Sequence, residues 1–212
     1  MEGTGLITIA ISRGRLLEES IILFKKADIN IESVLRDSRK LIFEFKDYEL
    51  KILIVRPTDV PTYVEYGAAD CGIVGKDTLM EETYNLYEPL DLGIGKCQLI
   101  VAALKEGKPA ISSSGTLRVA TKYPKIAYQF YIKKGIRAEV LKLYGSIEIA
   151  PIVGLSDVIV DLTATGETLK KNKLKLVDKI SDITARFVVN KVSMKVKSEE
   201  IKTLIERLKK VR

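Results

Sequence analysis

Short apolar runs alternate with stretches of helical periodicity along most of the chain. The apolar runs are rich in β-branched residues and have the length of strands. They predict strands near residues 6–11, 41–45, 50–55, 71–74, 97–104, 117–120, 138–141, 158–160, 174–177 and 183–189. The periodic stretches predict helices near residues 16–27, 61–66, 76–82, 124–134, 167–172 and 198–211. This alternation of strands and helices indicates the α/β class.

Two changes of pattern suggest domain boundaries. The apolar pattern breaks near residues 91–96 and again near 176–184. Residues 105–115 are polar and contain Gly, Pro and Ser, which predicts a loop. The sequence therefore predicts two blocks, one of which the chain leaves and later rejoins.

The most informative stretch joins the strand predicted at 158–160 to the helix that begins near Glu167. The strand ends on Asp161, and a loop of small and hydroxyl residues follows, Thr163–Gly166. A loop between a strand and a helix start presents unpaired backbone N–H groups to an anion. Asp161 would repel a phosphate, so it suits ribose hydroxyls or Mg²⁺ instead. The alternative interpretation is an ordinary strand–helix turn with a threonine cap.

Other strand–helix junctions also carry charge. These charged residues are Arg13, Arg15, Arg56, Lys76, Asp77 and Lys122. Open α/β sheets bind ligands at the carboxyl ends of their strands, so such residues are candidate contacts for phosphates. The alternative for each of them is a helix cap, a surface ion pair or a solvated turn.

Composition narrows the chemistry further. The chain has 212 residues, with 46% hydrophobic and 30% charged positions, which is typical of a globular protein. It contains no histidine, so histidine-based triads and histidine-ligated metal sites are excluded. The net charge is +7, but the cations are scattered and lack interleaved aromatics, which favours an anionic small molecule over nucleic acid.

The cysteines and the absence of targeting signals in the sequence point to the same compartment. Cys71 and Cys97 lack metal-ligand spacing and are expected to be buried free thiols in a reducing compartment. Neither a signal sequence nor an apolar run long enough to span a bilayer is found in the sequence. We therefore expect a soluble, cytoplasmic protein without membrane association.

The stretch after residue 158 resembles the loop that binds 5-phosphoribosyl 1-diphosphate (PRPP) in phosphoribosyltransferases. The residues at the spacing of the ATP phosphoribosyltransferase signature are Glu148, Gly154, Ser156, Ile159, Asp161, Leu162, Thr165, Gly166, Thr168 and Leu169. Leu162 stands where the commoner phosphoribosyltransferases carry a second acid, as is usual in the ATP-specific family. The segments 56–59, 67–77, 121–124 and 145–157 are similar to that family too. Arg13 replaces the lysine that the family usually shows, which keeps the charge but changes its geometry.

The resemblance implies a fold and a reaction. The fold would be a two-lobed, periplasmic-binding-protein-like (type II) α/β architecture with the active site in the cleft between lobes. Lobe I would comprise residues 1–92 and 180–212 on the nucleotide side, and lobe II residues 93–179 with the PRPP loop. The reaction would join ATP to PRPP, giving phosphoribosyl-ATP and diphosphate, as the first step of histidine biosynthesis.

The resemblance also implies partners. The chain looks like the short form of the family, which works with a regulatory subunit related to histidyl-tRNA synthetase, so a hetero-oligomer and self-association as a dimer are expected. Mg²⁺ would arrive on PRPP or ATP rather than at a site made by the protein alone.

Residue roles follow in the same way. Asp161 and Glu148 are the expected catalytic residues, holding the ribose hydroxyls. The residues expected to bind PRPP are Asp161, Thr163, Ala164, Thr165, Gly166, Glu167 and Thr168. Those expected to bind the nucleotide or diphosphate are Arg13, Arg15, Arg56, Asp77 and Lys122. A non-catalytic solute-binding module and a nucleic-acid-binding protein remain as alternatives at this point.

Overall fold

The computed structural model describes residues 5–106 and 115–212. Its strands are β1 Ile7–Ser12, β2 Ile42–Phe45, β3 Leu50–Val55, β4 Cys71–Gly75, β5 Leu86–Asp91, β6 Cys97–Leu104, β7 Leu117–Thr121, β8 Ala138–Lys142, β9 Val158–Thr163, β10 Leu174–Ile183 and β11 Ala185–Asn190. Its helices are α1 Arg15–Lys26, α2 Val60–Glu65, α3 Lys76–Glu81, α4 Pro124–Lys133, α5 Glu167–Lys171, α6 Ser193–Val196 and α7 Ser198–Val211. The α/β class is confirmed.

The chain forms two compact units. The first takes in the chain through Leu79, together with Thr83–Gly95 and Thr184–Arg212. The second consists of Met80–Glu82 and Lys96–Ile183. Each unit has its own sheet and its own core.

In the first unit, the described strands form one sheet in the order β2-β3-β1-β4-β11-β5. The three neighbours β3, β1 and β4 are parallel, with Ser12 opposite Val55 and Ile11 opposite Ile73. Since the carboxyl ends of parallel strands meet at one edge, the turns after β1, β3 and β4 lie side by side. That edge carries Arg13, Arg56 and Asp77.

Helices cover both faces of this sheet. The amphipathic α1 and α7 bury Phe24 and Leu208 on one face, together with Phe187 of β11. On the other face, α2 packs on β4 at Gly72, where an added Cβ would lie 2.8 Å from both Val60 and Val64. Because real Cβ contacts are longer than this, the absence of a side chain at Gly72 sets how closely α2 approaches the sheet.

A buried carboxylate ties the end of the chain to the start of the sheet. Asp70, 8% exposed, accepts hydrogen bonds from the Thr8 amide at 2.8 Å and from Ser193 Oγ and Lys197 Nζ at 2.7 Å each. Three donors, one of them charged, satisfy the buried acid. The cluster lies at the amino ends of β1 and β4, at the opposite edge from Arg13 and Arg56.

In the second unit, the described strands form a sheet in the order β10-β6-β9-β7-β8. The neighbours β9, β7 and β8 are parallel, and Thr121 is opposite Val160. Side chains alternate along β9, so Val158 and Val160 face α4, while Ile159 faces the short 3₁₀ turn at Ile147–Ile149. Asp161 lies on the same face as Ile159.

The segment that leads into β9 is anchored by an ion pair. Arg118 Nη2 lies 2.9 Å from Asp157 Oδ1, and Arg118 Nη1 donates to the Gly154 carbonyl at 2.9 Å. The Asp157 carboxylate also accepts the Arg118 amide at 2.7 Å. Several hydrogen bonds, some of them between charged groups, thus fix the position of the chain just before β9, the strand that carries Asp161.

Several element boundaries differ from those the pattern predicts. β9 continues to Thr163, because Leu162 and Thr163 still pair with β6, so the loop starts later. The pattern did not predict β5, because this strand contains Pro89 and several polar residues. It is an edge strand, where proline is tolerated. β10 extends to Ile183 with two irregularities in its register, and Thr184 separates it from β11. Most of the predicted loop at 105–115 lies outside the described residues.

Candidate active site

Two neighbouring strands of the second unit bring together the acid and one of the cations that the sequence singled out. Lys122 directly follows β7, and Asp161 follows Val160, the residue opposite Thr121. The positive charge of Lys122 is close enough to act on the Asp161 carboxyl. The structure therefore places a cation and an acid at the same edge of the sheet.

Asp161 lies in an environment that disfavours its charge. Burial raises the pKa of Asp161 above its ordinary value of 3.8, and the nearby carboxylate of Glu148 raises it further. The Leu162 amide, which donates to Asp161 Oδ1 at 2.8 Å, and the charge of Lys122 act in the opposite direction on this pKa. Glu148 reaches Asp161 because its 3₁₀ turn packs on the same face of β9. Two carboxylates in one place attract hydroxyl donors or a cation.

The loop after β9 is arranged by its own hydroxyls. Thr163 Oγ1 accepts the Gly166 amide at 3.1 Å, and Thr165 Oγ1 accepts the Glu167 amide at 3.4 Å. A hydroxyl that accepts one hydrogen bond still has its own O–H to donate. Gly166 has a φ of 75°, in the left-handed region that glycine adopts at no cost.

The loop presents its polar groups to solvent. Ala164, Thr165, Glu167 and Thr168 are exposed. The helix that follows, α5, has five residues, so its dipole is small. Threonine hydroxyls, together with main-chain amides other than those of Gly166 and Glu167, are therefore the groups that could hold an anion here.

In the first unit, two of the predicted cations line one cavity. The cavity has a volume of ≈ 480 Å³. It is lined by Arg13, Leu41, Ile54, Val55, Arg56, Pro57, Asp59 and Tyr63. Its position at the carboxyl ends of β1 and β3 is the place where α/β sheets bind ligands.

Arg13 has a second role that the sequence did not reveal. Its Nη2 donates to the carbonyls of Lys40 at 2.6 Å and Asp37 at 3.3 Å. The Asp37 carboxylate accepts the amides of Arg39 and Lys40, at 2.9 and 3.1 Å, and these hydrogen bonds lower the pKa of Asp37. Arg13 thus holds an exposed basic turn next to the cavity. The turn itself has a signal in the sequence, an Asp two residues before Arg-Lys, which is typical of an Asx turn, whereas the contact of Arg13 with the turn has none.

The other two predicted residues of the first unit are not among the residues that line this cavity. Arg15 forms an ion pair with Glu19 at 3.5 Å, one turn along α1. Asp77 is 8% exposed, and its carboxylate occupies the space that a Cβ on Gly75 would fill. The assignment of both residues to the nucleotide stays a prediction.

Two features are not found among the described residues. In residues 5–106 and 115–212, no three His, Cys, Asp or Glu side chains converge on a point suited to a metal ion. Within the same ranges, no helix has both the length and the apolar character needed to cross a bilayer.

Comparison with known proteins gives consistent matches. A family model described as HisG, ATP phosphoribosyltransferase, matches residues 56–210. An ATP phosphoribosyltransferase of Citrifermentans bemidjiense is 55% identical over 204 residues, covering 95% of this chain and 96% of that protein. ATP phosphoribosyltransferase 2 of Geobacter sulfurreducens is 53% identical over 212 residues, covering 98% and 99%.

Solved structures agree on the fold. The ATP phosphoribosyl transferase (HisG:HisZ) complex from Thermotoga maritima contains a chain with a TM-score of 0.81 and 37% identity, covering 97% of this chain and 98% of that one. The alkanesulfonate-binding protein SsuA of Xanthomonas axonopodis pv. citri has a TM-score of 0.59 at 13% identity, covering 98% and 73%. The second likeness concerns the fold alone, and it confirms the predicted periplasmic-binding-protein-like architecture.

Proposed function

This chain belongs to the ATP phosphoribosyltransferase family, and from that premise we propose how its residues carry out the reaction. The enzyme joins N1 of the adenine of ATP to C1 of PRPP, releasing diphosphate, as the first step of histidine biosynthesis. The likeness to a solute-binding protein concerns the fold alone, and the net charge of +7 also suits anionic small molecules, so the family match decides against both alternatives.

The PRPP site is assigned to the edge of the second sheet. Within Thr163–Thr168, hydroxyls that accept one hydrogen bond and keep an O–H to donate would hold the 5′-phosphate, together with main-chain amides other than those of Gly166 and Glu167. Asp161 and Glu148 would accept hydrogen bonds from the ribose hydroxyls. The observation that carries this assignment is the clustering of Asp161, Glu148 and Lys122 beside the threonine loop.

The chemistry suits a chain that has no histidine. Adenine N1 attacks with a neutral lone pair, so no residue has to remove a proton first. The new N1–C1 bond forms as the bond from C1 to the diphosphate oxygen breaks, and diphosphate leaves with that electron pair. Positive charge develops on the ribose, and the carboxylates of Asp161 and Glu148 would stabilise it electrostatically. Alignment of the two substrates would lower the activation barrier further.

The cations are assigned to the phosphates. Lys122 would meet the diphosphate of PRPP, because it lies beside Asp161. Arg13, Arg15 and Arg56 would meet phosphate oxygens on the nucleotide side, and the apolar residues of the cavity between Arg13 and Arg56 suit the face of a purine. Asp77 keeps its predicted place on that side.

The Mg²⁺ ion is proposed to enter the site bound to a substrate. We propose that Mg²⁺ arrives on the phosphate oxygens of PRPP or ATP and that Asp161 and Glu148 would offer it carboxylate oxygens, the ligands it prefers. When bound, it would neutralise charge on the departing diphosphate.

The family supports proposals for the partners and the location of this chain. The related Thermotoga chain was solved as a HisG:HisZ complex. We propose that this chain, as a short form, likewise associates with a regulatory subunit related to histidyl-tRNA synthetase, and that it also forms dimers. We place it in the cytoplasm, where ATP and PRPP are available.

The test is an assay of ATP, PRPP and Mg²⁺ with the regulatory subunit present, followed by the absorbance of phosphoribosyl-ATP. Asp161→Ala should lower kcat/KM by about 100-fold or more, because a group aimed at developing charge is lost. The matched control is Asp182→Ala, which removes an exposed acid of β10 paired with Lys179 and should keep wild-type activity. Wild-type turnover and PRPP affinity in Asp161→Ala would contradict the assignment.

A further inference from the structure

A buried hydroxyl lies between the two charged residues assigned to PRPP. Thr121 is the last residue of β7 and is 0% exposed. Its Oγ1 donates to the Val160 carbonyl at 2.7 Å and accepts the Tyr123 amide at 2.9 Å. A buried hydroxyl is costly unless it is hydrogen-bonded, and this one uses both its donor and an acceptor.

The two partners of this hydroxyl flank the site. Val160 immediately precedes Asp161, and Tyr123 immediately follows Lys122. The ladder between β7 and β9 ends at the pair Thr121–Val160, so beyond it no strand pairing fixes how far Lys122 lies from Asp161. The hydrogen bonds of the Thr121 hydroxyl connect the two segments at the point where the pairing of β7 and β9 ends.

The same hydroxyl also sets the start of α4. The Tyr123 amide donates to this hydroxyl in a segment where Tyr123 itself is buried. By accepting that amide, Thr121 fixes the turn that carries Lys122 and leads into Pro124, the first residue of the helix. One side chain therefore constrains the backbone on both sides of the site.

We propose that Thr121 is a positioning residue, whose hydroxyl fixes the separation of Lys122 and Asp161 so that both meet one molecule of PRPP. This inference rests on the proposed function, because it takes Lys122 and Asp161 to be contacts of PRPP. Valine has nearly the same shape as threonine but neither donates nor accepts, so it removes these hydrogen bonds with little change in packing. Serine keeps them and loses only a methyl group.

The experiment compares Thr121→Val with Thr121→Ser in the full chain with its regulatory subunit. Thr121→Val should raise the KM for PRPP about tenfold or more, since small misplacements of binding groups are costly. The KM for ATP should stay within about twofold, because the nucleotide contacts are assigned to the first unit. Thr121→Ser should restore the KM for PRPP to within about threefold of wild type.

Ser193→Ala is the control for a purely structural loss. It also removes a hydrogen-bonded hydroxyl, the one that donates to Asp70, away from the site. It should lower the melting temperature without changing the KM for PRPP. If Thr121→Val does not fold, Thr121→Ala, which cannot overpack, takes its place.

Three results would overturn the inference. They are an unchanged KM for PRPP in Thr121→Val, an equal rise in the KM for both substrates, and a Thr121→Ser variant as impaired as Thr121→Val. Failure of the proposed function would look different, since Asp161→Ala would then keep wild-type turnover. The two ideas can therefore fail separately.

Discussion

Folding and the proposed catalytic role favour different protonation states of Asp161. Its assigned role requires a charged carboxylate, whereas burial and the neighbouring Glu148 raise its pKa and so disfavour that charge. Buried ionisable groups with shifted pKa values reduce the stability of the folded protein, and they are frequent at functional sites. Substrate hydroxyls or a cation would relieve the unfavourable interaction when PRPP binds.

The resulting prediction concerns Asp161→Asn. A folded pKa above the ordinary value of 3.8 means that the folded state binds a proton more tightly than the unfolded state. Stability is therefore lost as pH rises from about that value through the folded pKa. Asparagine cannot ionise and still accepts the Leu162 amide, so the variant should melt at a higher temperature than wild type near neutral pH, by an amount that shrinks toward pH 4. Thermal unfolding across pH, with activity measured in parallel, checks this.

Asp182→Asn is the control with the opposite sign. Lys179 lowers the pKa of Asp182, so this carboxylate stabilises the protein above the ordinary pKa and loses that effect as pH falls through the lowered value. The variant should gain nothing at neutral pH. A melting temperature of Asp161→Asn at or below that of wild type at neutral pH would show that the carboxylate is not strained in the folded protein.

At the residue scale, the sequence singled out charged residues at strand–helix junctions but did not indicate what those residues contact. Asp161, Lys122 and the threonine loop were singled out because strand–helix junctions have a recognisable pattern. The hydrogen bonds from Arg13 to carbonyls more than 20 residues away depend on how β1 and β2 pack in the sheet. Thr121 lies in the segment 121–124, which is similar to the family, but a buried threonine at the end of a strand has no distinctive pattern that indicates its hydrogen bonds.

At the scale of elements, the contact between α2 and β4 depends on one missing side chain. Gly72 has a φ that other residues can adopt, so its importance is steric. An added Cβ would meet methyl groups of Val60 and Val64 at 2.8 Å and of Val188 at 3.3 Å. The helix must move away from the sheet to accept it.

Gly72→Ala should therefore destabilise the protein by about 1–3 kcal/mol, the usual cost of overpacking a core. The matched control is Gly145→Ala, because an added Cβ there meets nothing within 4 Å and the backbone is not in the left-handed region. Urea unfolding measures both. Equal stability of the two variants would mean that α2 approaches β4 less closely than the structure has it.

The elements themselves were predictable where a buried face imposes a regular pattern. The first strand, α1 and α7 have strong periodicity, and their bounds differ from the predicted ones by a residue or so. β5 and the second half of β10 were missed because both are edge strands, whose polar residues and prolines need not follow a buried pattern. The extension of β9 to Thr163 comes from pairing with β6, which no local pattern encodes.

At the scale of the whole molecule, a net charge of +7 suits small anionic substrates and also promotes unspecific association with acidic proteins. Specific assembly with a regulatory subunit must therefore be separated from charge attraction. We expect the purified chain and its regulatory subunit to elute together with the mass of a hetero-oligomer in size exclusion coupled to light scattering.

High salt provides the control for this prediction. At about 1 M salt the Debye length is about 3 Å, so attraction between exposed charges is largely removed. A specific complex with an apolar interface should persist there. Elution of the two chains at their separate masses, at low or at high salt, would contradict the proposed hetero-oligomer.

The position of β11 has a consequence for biosynthesis. This strand lies between β4 and β5, although roughly 110 residues separate it from β4 along the chain. At the usual pace of translation, on the order of ten seconds pass between the emergence of the two strands from the ribosome. During that interval the edges of β4 and β5 that later pair with β11 have no partner strand, while the strands of the other sheet emerge consecutively. A nascent chain stalled before residue 185 should therefore expose the first sheet to chaperones and proteases.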